Sequence, residues 1–125
     1  MTELLLWLTM TVWFEARGEA DDRCQVAVAR VVLNRMGGGG DVKKVILAPS
    51  QFSWVNDKLS NGVIKPEHRP NTESAAWKRA EQSARTALYS TEVFLATHFH
   101  AVTVNPKWNL SLSHYATCGN HHFYL

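Results

Sequence analysis

The first third of the chain alternates long apolar runs with short polar breaks, a pattern that predicts helices. Residues 3–16 contain no helix-breaking residue, and Leu4, Leu8 and Val12 recur on one helical face. Further large apolar side chains widen this surface most of the way round, which is typical of a central, buried helix. The pattern therefore predicts a first helix that ends near Gly18, because glycine suits a helix C-terminus.

A second helix is predicted directly afterwards. Asp21 or Asp22 can cap it, and it would run through residues 24–35 to the glycines at 37–40. Its many valines would also suit a strand. We favour a helix because a run of about twelve residues is longer than most strands.

The middle of the chain is predicted to be less regular. Asp41 can cap a short helix over residues 42–48, which the following Pro49 ends. Residues 56–71 are polar and contain two prolines, so they predict a long loop. A clear helical pattern returns over about residues 72–90, with a stripe that is expected to face the core. The predicted stripe consists of Ala76, Ala80, Ala84, Ala87 and Leu88, with Trp77 at its edge.

The C-terminal third changes to short β-prone and aromatic segments. Residues 93–101 and 116–125 are predicted to be extended, and residues 105–108 form a turn that carries a tryptophan. The predicted architecture is mainly α (α+β), with a small β or irregular region last. The length of 125 residues suits one domain, over residues 1–125.

Charge and N-terminal composition narrow the class of protein. The net charge of +2 is too small to indicate nucleic-acid binding, and it is compatible with approach to an anionic polymer such as a cell wall. The first apolar run lacks a preceding basic region and a small-residue cleavage site. It is also shorter than the ~20 residues that span a bilayer. We expect no export signal, no membrane insertion and a monomer.

Two cysteines, Cys24 and Cys118, allow at most one internal disulfide. Nothing in their spacing requires one, and a protein made in a reducing cytosol usually keeps its thiols reduced. The sequence leaves the pairing open, and we predict two free thiols.

Two carboxylates and a guanidinium stand where the first apolar run ends, at Glu15, Arg17 and Glu19. If the helix continued through Gly18, the two acids would lie ~5–6 Å apart on one helical face. Retaining glycosidases place two carboxyl groups on opposite sides of the sugar bond, which this pair cannot do. A single acid is easier to support, because the apolar residues before Glu15 would raise its pKa. The alternative, that both acids are ordinary helix-end residues, stays open.

Histidines and aromatic residues indicate a functional site less strongly than the acids do. The histidines in question are His98, His100, His114, His121 and His122. Together with Cys118 they suggest a zinc site, but no spacing matches a standard one and no HExxH motif occurs. We expect no metal and no cofactor. Aromatic rings in polar segments of the sequence are suited to sugar binding, although packing in the core is the default expectation for each ring. The aromatic candidates are Trp54, Phe99, Trp108 and Tyr124.

Six short motifs follow one another from about residue 12 to the C-terminus. They occupy residues 14–19, 25–35, 51–54, 96–100, 106–108 and 119–124. Each motif is weak alone. In this order they resemble the cell wall hydrolase family of the spore cortex-lytic enzyme (SleB) type.

The resemblance implies a lysozyme-like, lytic transglycosylase-like fold and cleavage of peptidoglycan between N-acetylmuramic acid and N-acetylglucosamine. It implies that Glu15 is the catalytic acid and that the products are 1,6-anhydromuropeptides. A catalytic domain without a visible signal further resembles a phage endolysin, made in the host cytoplasm and acting on the periplasmic or extracellular wall. The alternatives are a hydrolytic muramidase (lysozyme), a non-catalytic glycan-binding module, and a zinc amidase or peptidase.

These inferences define a candidate site with Glu15 as its catalytic residue. The possible supporting residues are Glu19, Arg17, Gln51 and His98. The candidate substrate-binding residues are Ser53, Trp54, Phe99, Trp108, His121 and Tyr124. The expected partner is peptidoglycan.

Overall fold

The computed structural model of the protein describes residues 1–48 and 52–125. The predicted helix end at Pro49 and the candidate Gln51 lie outside the described residues. The helices are α1 (Glu3–Ala16), α2 (Asp22–Met36), α3 (Val42–Leu47), α4 (Ser53–Lys58) and α5 (Ala75–Tyr89). The strands are β1 (Leu59–Ser60), β2 (Val63–Ile64), β3 (His98–Ala101), β4 (His114–Cys118) and β5 (His121–Tyr124). The predicted mainly α architecture with a small β region is confirmed.

Helix α1 is the central element, as its apolar surface predicts. It packs against α2, α3 and α5, and most of its side chains are buried. Two buried threonines are tolerated because their hydroxyls donate to carbonyls one turn earlier: Thr9 to Leu5 (2.7 Å) and Thr11 to Trp7 (2.9 Å). In the part of the chain that the structure describes, no helix is long and apolar enough to cross a membrane.

The predicted caps of α2 and α3 are confirmed. The side chain of Asp21 accepts from the backbone N–H of Arg23 (2.9 Å), and that of Asp41 accepts from Lys43 (2.9 Å). Helix α2 ends before Gly37, whose φ of +63° is one that glycine adopts without strain. Helix starts marked by a capping aspartate were therefore predictable from the sequence.

Helix α5 begins three residues later than the predicted start at 72. The hydroxyl of Ser74 accepts from the backbone N–H of Trp77 (3.1 Å) and caps the helix. Trp77 is buried against Trp13 rather than lying at the edge of the stripe, and their ring centroids are 5.9 Å apart. Ala76 is exposed, so its predicted place in the core is wrong, because the neighbouring indole faces the core instead. Burial of Ala80, Ala84 and Ala87 is confirmed.

The predicted long loop over residues 56–71 contains regular structure, so this prediction is wrong in part. Strands β1 and β2 pair in an antiparallel hairpin. Asn61 and Gly62 connect them, with φ values of +52° and +78°. Asn-Gly is a strong signal for a two-residue hairpin turn. A short 3₁₀ turn, Pro66–His68, follows the hairpin.

The C-terminal strands form one antiparallel sheet in the order β3-β5-β4. Only the last part of the predicted extended segment 93–101 is a strand. The amide of Asn34 donates to the carbonyls of Phe94 (2.7 Å) and Ala96 (2.8 Å), so α2 holds this backbone in an irregular path. The predicted turn at residues 105–108 leads into a 3₁₀ turn, Lys107–Leu110.

Cys24 and Cys118 form a disulfide, so the prediction of two free thiols is wrong. The last residue of β4 meets the first turn of α2, with the two Cα atoms 5.3 Å apart. This separation lies within the range that a disulfide spans. The residues are 94 positions apart, so their spacing along the chain could not indicate the contact.

Candidate active site

Glu15 lies in the last turn of α1, where the buried helix meets the surface. The residue before it, Phe14, stacks on Trp54 with ring centroids 4.9 Å apart. The Glu15 side chain is half-buried, and burial raises its pKa from 4.5 to about 7. Its carboxyl group has no hydrogen-bond partner in residues 1–48 and 52–125. An acid in this setting can carry a proton at neutral pH.

No second carboxylate contributes to the pKa of Glu15, because desolvation is its only cause. All 11 acidic residues of the chain lie within the described ranges. Helix α1 ends at Ala16, so Glu15 and Glu19 do not share a helical face. The site therefore contains one free acid rather than a pair.

Glu19 is buried and holds the turn between β4 and β5. Its carboxylate accepts from the backbone N–H of Asn120, with N–O distances of 3.0 and 3.2 Å. A Cβ on Gly119 would overlap this carboxylate, and the φ of Gly119 is +55°. The Nδ1 atom of His121 lies 3.6 Å from a carboxylate oxygen of Glu19, and the His121 ring lies near the backbone of Glu15. Glu19 therefore connects the turn to the segment that carries the candidate acid.

His121 is buried between the sheet and the end of α1. Desolvation lowers its pKa, although Glu19 and the Glu15 backbone oppose the shift. The imidazole is therefore neutral at physiological pH. It lies on the inner face of the sheet beside Phe99, with ring centroids 5.6 Å apart. Both side chains therefore lie on the inner face of the sheet.

A buried polar chain fixes the backbone next to Glu15. The amide of Gln25 donates to the carbonyl of Ala16 (3.2 Å) and accepts from the hydroxyl of Ser83 (2.8 Å). This chain ties α1, α2 and α5 together one residue after the acid. Neither Gln25 nor Ser83 was given a role from the sequence, although a glutamine within an apolar helical run was a signal for a buried polar contact.

Aromatic and histidine side chains cover the outer face of the sheet. Trp108 lies over this face, with ring centroids 5.4 Å from His98, 5.5 Å from His100 and 5.4 Å from Tyr124. The Nε2 atom of His100 is 2.9 Å from the hydroxyl of Tyr124. Burial and the charge of Arg35 lower the pKa of His98. Three of the sequence candidates, His98, Trp108 and Tyr124, are therefore brought together.

The remaining candidates lie elsewhere. Trp54 is buried, with 4% of its surface exposed, and packs in the helical core against Trp7 and Phe14. Ser53 is exposed at the start of α4. The guanidinium of Arg17 donates to the carbonyl of Trp13 (3.1 Å) and lies 4.8 Å from the centre of that ring. Arg17 and Glu19 therefore contact different parts of the chain.

The described part of the chain has no group of three or more histidine, cysteine or acidic side chains that could hold a metal ion. The histidines on the outer face of the sheet contact one another and aromatic rings. For example, the ring centroids of His100 and His122 are 5.4 Å apart. Cys118 is bonded to Cys24 and cannot act as a thiolate.

The protein is mainly helical, with one half-buried, protonatable acid and a sheet whose outer face carries histidine and aromatic side chains. The family model described as Cell Wall Hydrolase matches residues 19–124, and the chain belongs to this family. No curated protein and no solved structure matches the chain. Membership indicates peptidoglycan as the substrate. Glu15 precedes the matched segment, so its assignment depends on the local geometry and on the motif at residues 14–19.

Proposed function

We propose that this cell wall hydrolase cleaves the glycan strand between N-acetylmuramic acid and N-acetylglucosamine as a lytic transglycosylase. The observation that carries the proposal is the half-buried carboxyl group of Glu15, whose pKa is raised to about 7. A general acid works best when its pKa lies near the working pH. Such a group can donate a proton and then accept one.

The chemistry needs one acid–base residue and no water. Protonated Glu15 donates to the glycosidic oxygen, and the bond between this oxygen and C1 of N-acetylmuramic acid breaks. The resulting carboxylate accepts the proton of the 6-hydroxyl, whose oxygen forms a new bond to C1. A 1,6-anhydro ring closes, and the net result is transfer of one proton from the attacking to the leaving oxygen. Glu15 ends protonated and ready for another cycle.

A single free acid favours this route over hydrolysis. In most hydrolytic glycosidases a second carboxylate acts as the nucleophile or activates a water molecule. The nearest acid in sequence, Glu19, is buried and occupied by the backbone of Asn120. The intramolecular 6-hydroxyl needs no such activation, because it is held next to the reacting carbon.

The outer face of the sheet is the proposed glycan platform. Trp108 presents a half-buried ring that can cover the apolar face of a sugar, and His98 and His100 supply polar groups beside it. Tyr124 is buried beside Trp108, and its hydroxyl positions His100. Glu19 acts from the inner face by holding the turn between β4 and β5, and His121 packs beside it. Roles for Ser53, Trp54 and Phe99 in contacting substrate remain predictions.

Mass spectrometry of digested sacculi tests the proposal. Anhydromuropeptides support it, whereas reducing muramic acid ends would assign the enzyme as a muramidase. Intact glycan that nevertheless sediments with the protein would identify a non-catalytic binding module. The matched variants are Glu15→Gln, which we expect to remove cleavage, and Glu67→Gln, which changes an exposed acid and should leave it intact.

The proposed biological role is that of a phage endolysin. A wall-degrading enzyme of this kind must stay separate from its substrate until lysis begins. We expect the protein in the cytoplasmic fraction of intact host cells and in the medium only after the membrane is breached. Its presence outside intact cells without lysis would contradict this role.

A further inference from the structure

A cavity that does not include Glu15 lies between helix α2 and strand β4. We call it the α2–β4 groove, and its volume is about 420 Å³. Small-molecule sites typically have volumes of roughly 300–1,000 Å³. The lining residues that bear on its chemistry are Arg30, Glu92, Phe94, Ala116, Thr117 and Cys118. The groove therefore combines apolar surface with charged side chains of both signs.

Arg30 in the wall of the groove has an unsatisfied donor. Its Nη1 atom donates to the carbonyl of Ser90 (3.3 Å), while its buried Nε atom has no hydrogen-bond partner in the described part of the chain. Because Nε is closed to solvent, a ligand in the groove can reach Arg30 only through the outer nitrogens of its guanidinium group. A carboxylate is the ligand that a guanidinium binds best, because both groups are planar and can form two parallel hydrogen bonds.

The opposite wall is the open edge of a sheet. Strand β4 lies at the edge of the order β3-β5-β4, so its backbone pairs with β5 on one side only. The β4 residues that line the groove are Ala116, Thr117 and Cys118. Free backbone groups at a sheet edge can pair with an extended peptide, while neighbouring pockets select its side chains.

The two walls are covalently joined. The disulfide between Cys24 and Cys118 connects the start of α2 to the end of β4. Phe94, a further lining residue, belongs to the segment that Asn34 holds through its carbonyl. A groove held in this way needs little ordering when a ligand binds, which favours affinity.

We propose that the α2–β4 groove binds the acidic stem peptide of peptidoglycan, with a peptide carboxylate on Arg30 and the peptide backbone along β4. This inference rests on the proposed function for its substrate. Stem peptides are short and carry both free carboxylates and, commonly, an amine on a diamino residue. Arg30 and Glu92 offer the two complementary charges at one groove. The register places Cys118, in the wall of the groove, opposite His121 on the neighbouring strand β5.

Binding is tested with a synthetic stem peptide, L-alanyl-γ-D-glutamyl-L-lysyl-D-alanine, titrated into the full chain and followed by NMR. We expect amide shifts concentrated in β4 and at Arg30, and affinity at least about tenfold lower for the same peptide with its carboxylates amidated. Arg30→Gln should lower affinity to a similar extent. The control Arg85→Gln changes an exposed arginine that pairs with Glu81 outside the groove and should bind normally.

Equal binding of the acidic and amidated peptides, or no binding at all, would overturn the proposal, and this comparison needs no variant. Shift changes in the groove that instead follow protein concentration and accompany dimer formation would assign the β4 edge to a second copy of the chain, and would also overturn it.

An activity measurement separates this inference from the proposed function. Wild-type enzyme and Arg30→Gln are compared on intact sacculi and on glycan strands from which an amidase has removed the peptides. We expect the variant to lose activity on intact sacculi and to match the wild type on peptide-free glycan. Equal loss on both substrates would contradict a stem-peptide site. If the wild type cleaved neither substrate, the proposed function would be refuted. The peptide titration would still show whether the groove binds the stem peptide.

Discussion

Replacing Glu15 by glutamine removes one ionisable group from a half-buried position at the end of α1. Burial raises the pKa of Glu15 from 4.5 to about 7, so the folded protein binds this proton more tightly than the unfolded chain does. The stability that the group contributes is fully present below the unfolded-state pKa and is lost as the pH rises through about 7. Glutamine stays neutral at every pH, so the variant avoids this loss.

The size of the effect follows from the shift in pKa. A shift of this size is worth at most about 3 kcal/mol of unfolding free energy across the whole titration. The side chain keeps part of its contact with solvent, so we expect about 2 kcal/mol. Glu15→Gln should therefore be about as stable as the wild type at about pH 4, and more stable by about 2 kcal/mol at about pH 9.

Urea denaturation followed by tryptophan fluorescence at the two pH values measures this difference. Comparing variant with wild type at each pH cancels the titration of other groups. The control Glu67→Gln changes an exposed acid, so its unfolding free energy should differ from that of the wild type by the same small amount at both pH values. If the difference in unfolding free energy between Glu15→Gln and the wild type were also the same at both pH values, Glu15 would not be desolvated. The argument for a proton donor at neutral pH would then fail. The same variant should lose about 10²–10⁴-fold in cleavage rate.

Four further predictions follow from the contacts around the site. Glu19→Ala should lower the unfolding free energy by about 3 kcal/mol, measured by urea denaturation, because it removes the acceptor of a partly buried backbone N–H and leaves a cavity at a buried side chain. Gly119→Ala should destabilise by at least about 2 kcal/mol in the same assay, since the added methyl group overlaps the Glu19 carboxylate; unchanged stability would disprove the close approach. Replacing Cys24 and Cys118 together by alanine should lower stability by about 2–4 kcal/mol and make it insensitive to thiol reductants. Trp108→Ala should raise KM about tenfold with little change in kcat in a muropeptide-release assay, and a loss confined to kcat would contradict the platform.

The sequence alone predicted the features that depend on local spacing. Helix α1 and its central position follow from an apolar surface that continues around the helix, and the start of α2 follows from a capping aspartate. The position of Glu15 at the end of an apolar run was enough to predict a raised pKa. The order of the motifs was enough to predict the family.

The tertiary structure alone decided the features that join distant parts of the chain. Glu19 meets Asn120, 101 positions later, and Cys24 bonds to Cys118, 94 positions later. Trp54 is in the core although it lies in a mixed polar and apolar segment of the sequence. Helical and strand periodicities record only which side of an element faces the core. They do not record which elements meet, since that depends on how all the buried surfaces pack together. Glu15 could thus be proposed as a single acid from the sequence. The long-range contacts that fix the backbone around it exist only in the folded chain.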